Sequence, residues 1–129
     1  MLERLYMAIE LPSRLQRFIL QCIPTLQAAE VLLFVAAHPE RDFSAEEIVA
    51  LIRPTVVTAP AVVEYMALLQ SSHVVTAIDG RFRYTPGTEE LDAAIGELGR
   101  TYNERPVTMI ATIYRIADSK SQSSRMPSE

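Results

Sequence analysis

The stretch from Ser44 to Tyr84 constrains this chain more than any other, because three kinds of local signal follow one another within it. Ser44 and Glu47 have the spacing of a capping box, and Phe43 and Ile48 flank them as a hydrophobic staple, so one helix start is specified twice. A second start follows at Thr58-Ala59-Pro60, where a hydroxyl can cap free amides and proline's fixed φ suits a first helical turn. Arg53-Pro54-Thr55-Val56-Val57 is the turn between the two helices. Val74 to Ile78 and Arg81 to Tyr84 then bracket Asp79-Gly80, a strong hairpin signal because a two-residue primed turn needs positive φ. Helix, turn, helix and hairpin in this order predict a winged helix-turn-helix.

The rest of the chain reads as helical additions to that unit. With 129 residues, 49% of them apolar, the chain has room for one core and little more. Residues 1–24 are expected to form an arm of undecided conformation (1–11) and a short helix. In that helix Ser13 and Gln16 repeat the capping-box spacing, and Leu15, Phe18, Ile19 and Cys22 form one stripe. Thr25 can cap the next helix, from Leu26 to Ala37, which is apolar around so much of its circumference that it should be central. Residues 25–87 would complete the winged helix-turn-helix, with Ile48, Val49, Leu51 and Ile52 inward on its first helix and Val62, Tyr65, Met66 and Leu69 inward on its second.

Residues 88–117 are assigned to a C-terminal dimerisation segment. Leu91, Ile95, Leu98 and Tyr102 recur at intervals of four, three and four, the spacing of a heptad seam. Arg105-Pro106 should break the helix. Beyond it, Val107 to Ala117 is apolar almost all round and rich in β-branched residues; a second helix is expected, with a strand as the alternative. An apolar segment of this kind calls for a covering surface, so Met109, Ile110, Ile113 and Tyr114 join the four seam residues as candidates for a homodimer contact. Residues 118–129, rich in serine, are assigned to a disordered tail.

Charge and cysteine content bound the function. Twelve basic against 16 acidic side chains give a net charge of -4, which argues against a protein that wraps nucleic acid over its whole surface but permits a local basic patch. Cys22, the lone cysteine, precludes an internal disulfide and fits a reducing cytoplasmic setting. No stretch approaches the roughly 20 apolar residues needed to span a bilayer. His38 and His73 are the only histidines, and neither has a companion at metal-ligand spacing. Glycine-rich phosphate loops and nucleophile-base-orienter motifs are absent from the sequence, so no catalytic residue, metal or cofactor is expected.

Leu26-Gln27-Ala28-Ala29-Glu30-Val31-Leu32-Leu33, Phe43-Ser44-Ala45-Glu46-Glu47-Ile48, the Asp79 to Tyr84 wing, and Glu90-Leu91-Asp92 leading to Tyr102-Asn103-Glu104-Arg105-Pro106-Val107 together resemble small bacterial winged-helix proteins related to MarR-like transcriptional regulators. The resemblance covers Leu26 to Tyr114. It implies a winged-helix domain, a dimer-forming C-terminal helix and binding to double-stranded DNA. On that expectation Arg53, Thr55, Thr58, Ser71, Arg81 and Arg83 are the candidate DNA contacts. The second helix departs from the pattern of a base-reading helix, since Thr58 to Ser72 has no Arg or Lys and carries Glu64. The alternative is therefore a winged-helix module that binds a protein and not DNA.

Overall fold

A computed structural model describes residues 11–124, with side chains up to Asp118. The predicted arm lies, but for Leu11, outside the described residues. Six helices and one small antiparallel sheet make up the described fold: α1 (Ser13–Cys22), α2 (Leu26–Ala36), β1 (Asp42–Ser44), α3 (Ala45–Leu51), α4 (Ala59–Ser71), β2 (Val75–Ile78), β3 (Arg81–Tyr84), α5 (Glu89–Glu104) and α6 (Pro106–Ser124). Among the described residues no single helix is long and apolar enough to cross a membrane.

α2 takes the central position its composition predicts. Thr25 caps it by accepting from the Ala28 amide at 3.1 Å, and Ala28, Ala29, Val31, Leu32 and Val35 are buried. The helix packs against α4, α5, α6 and β3, so its apolar circumference is covered from several directions. Leu15, Phe18, Ile19 and Cys22 of α1 are all buried in the same core. The capping box expected at Ser13 and Gln16 is not formed. Pro12 occupies the cap position, its carbonyl accepts from the Leu15 and Gln16 amides, and Gln16 Nε2 turns back to the Leu11 carbonyl at 2.7 Å. Proline fixes an extended residue one position earlier than serine would, which moves Ser13 into the first turn.

The hairpin forms as its turn residues require: Asp79 (φ 54°) and Gly80 (φ 76°) are both left-handed. A third strand, β1, takes in the staple and cap residues Phe43 and Ser44 together with Asp42, and the sequence does not predict it. The strand order is β1-β3-β2, with Phe43 opposite Phe82 and Ser44 opposite Arg81. β3 is thus the middle strand, and its Phe82 and Tyr84 face the core while Arg83 faces out.

The C-terminal segment is helical, which settles the choice between helix and strand for 107–117. α5 ends at Glu104, and Pro106 begins α6, where the first-turn position makes its missing N–H harmless. α6 continues to Ser124, into the segment assigned to a disordered tail; adding residues to an existing helix costs far less than nucleating one.

Candidate interaction surface

α3, α4 and the hairpin present the surface on which the candidate contacts lie. Ser44 Oγ accepts from the Glu47 amide at 3.1 Å, and Glu47 Oε1 accepts from the Ser44 amide at 3.0 Å, so the capping box is complete. Phe43 and Ile48 are fully buried beside it. α4 is held from beneath by Val62, Met66 and Leu69, and Thr25 Oγ1 donates to the Tyr65 hydroxyl at 2.9 Å. Its outward positions are Pro60, Val63, Glu64, Ala67, Leu68, Gln70 and Ser71. That face contains no cation.

Four of the six residues proposed for DNA are committed elsewhere in the molecule. Thr58 Oγ1 accepts from the Ala61 amide and caps α4, and Ser71 Oγ donates to the Ala67 carbonyl at 3.0 Å. Arg81 Nε reaches Asp42 Oδ1 and its Nη2 reaches Glu47 Oε1, both at 2.8 Å. Arg83 Nη2 donates to the Glu40 carbonyl. Arg53 and Thr55 remain. They sit on the turn, which carries a cis Arg53-Pro54 peptide, and their side chains have no polar partner among the described residues.

The Arg81 cluster joins three elements, since its partners lie on β1 and in the first turn of α3. The hydrogen bond from Arg81 holds the Asp42 carboxyl below its ordinary range, assisted by the charges of Arg81, Arg83 and Arg41. Glu47 is lowered chiefly by the Ser44 amide and then by the Arg81 charge. Arg81 is correspondingly raised, first by its hydrogen bond to Asp42. Two carboxylates around one guanidinium leave no surplus positive charge at Arg81.

Large apolar side chains are exposed on this surface. Val63 on α4 is 50% exposed, Val56 in the turn is 85% exposed, and Leu51, expected to face inward on α3, is 50% exposed. α3 is two turns long, and Ala45 and Ile48 are its buried positions, which leaves Leu51 past the edge of the core. The turn closes by a bond from the Thr55 amide to the Ile52 carbonyl at 3.2 Å. Val56 is the one signal visible in the sequence: a large apolar residue in a tight turn with no periodic partner.

The expected dimer seam is used inside the chain. Ile95 and Leu98 are buried and Leu91 and Tyr102 are packed against the core, with the Tyr102 hydroxyl donating to Glu30 Oε2 at 2.6 Å. Burial and that bond push the Tyr102 phenol up to about 12. Met109 and Ile113 of α6 are likewise buried. Of the eight candidates, Ile110 is partly exposed and Tyr114 is 60% exposed. Val107, 80% exposed, lies two turns before Tyr114 on that side of α6.

Cys22 is buried, its Sγ 3.3 Å from Ser72 Oγ, and His38 Nδ1 lies 3.0 Å from the Phe34 carbonyl with its ring against Phe34 and Phe43. Cys22 belongs to the core, and His38 is half-buried at its edge. Among the described residues no three His, Cys, Asp or Glu side chains converge as metal ligands. Compared with protein-family models, curated proteins and solved structures, the chain matches none.

Proposed function

We propose that α2 to β3 form a winged helix, and that its α3-turn-α4 surface binds a protein and not DNA. The order helix, short strand, two helices across a turn, then a hairpin returning to the short strand supports the first part. The observation that carries the second is the commitment of the wing: Arg81 is closed between Asp42 and Glu47, while the outward face of α4 has no cation and sets Val63, Glu64 and Leu68 beside a single amide donor, Gln70. Phosphate binding gains from uncompensated cations, and the α3-to-α4 stretch sets Arg53 against Glu46 and Glu64, neither of them paired with Arg81. Exposed apolar side chains on a surface of this kind gain by being covered.

The competing DNA reading draws its support from Arg53 and Thr55, which remain available on the turn. A direct comparison separates the two. The full-length protein is titrated into labelled mixed-sequence duplex DNA at low salt, and no saturable binding is expected. In cells of the source organism, a photo-crosslinking residue at position 63 should give a discrete protein adduct that the same residue at position 79 does not. Salt-sensitive, sequence-selective DNA binding that Arg53→Ala abolishes would overturn the proposal.

We further propose a homodimer that uses the outer side of α6 in place of the buried seam. Val107, Ile110, Ala111 and Tyr114 recur at three- and four-residue spacing opposite the buried Met109 and Ile113. An antiparallel two-fold axis near Ile110 and Ala111 sets Val107 against the partner's Tyr114 and Ile110 against the partner's Ala111, large against small at both levels.

A further inference from the structure

The turn between α3 and α4 holds an open groove of about 690 Å³ lined by Val49, Arg53, Pro54, Thr55, Val56 and Val57. Val57 is buried at its base, Val49 is half-buried, and Val56 stands exposed at its rim. Four of the six lining side chains are apolar. Arg53 supplies the one charge in the lining, and no hydrogen bond or ion pair engages it among the described residues. It therefore differs from Arg81 and Arg83, whose guanidinium groups already have oxygen partners.

We infer that this groove receives a peptide segment of the partner through one apolar side chain and an adjacent carboxylate. The inference rests on the protein-binding reading above and names the chemistry of its partner. Valine and proline walls reward an apolar side chain, which a sugar-phosphate backbone does not bring. A guanidinium with no other partner matches a carboxylate by paired hydrogen bonds, and one cation calls for one anion. Glu46 and Glu64, exposed on the flanking helices, oppose a continuous polyanion; an isolated carboxylate can be met by Arg53 alone.

The test uses the full-length protein labelled with nitrogen-15 and the probe peptide acetyl-Gly-Ser-Leu-Glu-Leu-Gly-amide. Saturable movement of the Thr55, Val56 and Val57 amide signals is expected. Binding should weaken about fivefold or more when the peptide's Glu is replaced by Gln, and by a similar factor in Arg53→Gln, the scale of one partly exposed charge-assisted bond. Arg53 and Val56 are exposed, so Arg53→Gln and Val56→Asp should keep the parental melting temperature, and Val56→Asp should remove the response. Equal binding of the Glu and Gln peptides, an Arg53→Gln variant equal to the parent, no response at all, or duplex DNA moving the same signals at lower concentration would each overturn the inference. A position-63 protein adduct together with a silent groove rejects the groove and leaves the protein-binding reading intact. No adduct at position 63 with peptide binding retained rejects the α4 face as the docking surface and leaves the groove as the protein-binding site.

Discussion

Leu98→Ala separates a core role from a dimer-seam role for the 4-3-4 repeat of α5. Leu98 is fully buried within a single chain and belongs to the core cluster that includes Leu32, Met109 and Ile113. Truncation removes three carbons. At about 0.8 kcal/mol per buried methylene-sized group the transfer loss is about 2.4 kcal/mol. The cavity that remains adds to this, and roughly 3 to 4 kcal/mol is expected, inside the ~2–5 kcal/mol span of such truncations. For a chain of this length roughly 4 °C accompanies each kcal/mol, so the melting temperature should fall by roughly 12–16 °C. The measurement is a urea titration paired with a thermal melt, both in a Tyr114→Asp background so that self-association does not add to stability. Midpoints should be independent of protein concentration over two decades. A loss under about 0.5 kcal/mol, accompanied by dissociation of a dimer, would refute the reasoning and restore the seam.

Other expected outcomes follow from single contacts. Tyr114→Asp should convert the proposed homodimer to a monomer in light scattering, while Leu91→Ala, which packs inward, should lower stability without changing the mass of the assembly. Ser44→Ala removes the acceptor for the Glu47 amide and should cost about 1 kcal/mol in urea unfolding; Ser44→Asp, which keeps an acceptor, should recover most of it. Asp42 and Glu47 are depressed in the folded state, so their contribution is fully present above their ordinary values of 3.8 and 4.5 and is lost as pH falls through the lower folded values. Arg81→Gln should flatten that acid limb of the stability curve; an unchanged acid limb would mean that Arg81 contributes nothing to it. Tyr102 is raised, so its contribution is complete below pH 10 and is lost as pH rises toward about 12. Tyr102→Phe should reduce that alkaline loss, followed by circular dichroism.

What could be read from the sequence was local. The Ser44 capping box, the Thr25 and Thr58 caps, the Asp79-Gly80 turn and the Pro106 break each depend on residues within a few positions of one another, and each is present. The misreadings have physical causes. At Ser13 the preceding proline competes for the cap position. β1 is three residues long, too short for alternation to register. A 4-3-4 apolar repeat has the same spacing whether it faces its own core or a second chain, so Leu91 to Tyr102 did not distinguish them. The candidate site was the least legible part. The sequence puts Arg81 and Arg83 on one face of the hairpin, but Asp42 and Glu47 lie more than 30 positions earlier, and only the pairing of Ser44 with Arg81 brings them together. Arg81 is a paired joint between strand and helix, and Arg83 is held by a backbone carbonyl.

The β1-β3-β2 order also sets a timetable. β1 precedes its neighbour β3 by roughly 40 positions, so Asp42 to Ser44 cannot enter the sheet until the hairpin has been made. During synthesis the first turn of α3 is therefore without its Arg81 partner while α4 is already complete, and the region docks only when Arg81 to Tyr84 emerge. A nascent chain halted at Gly80 should expose α3 to protease. One halted after α5, with β3 in place, should protect it.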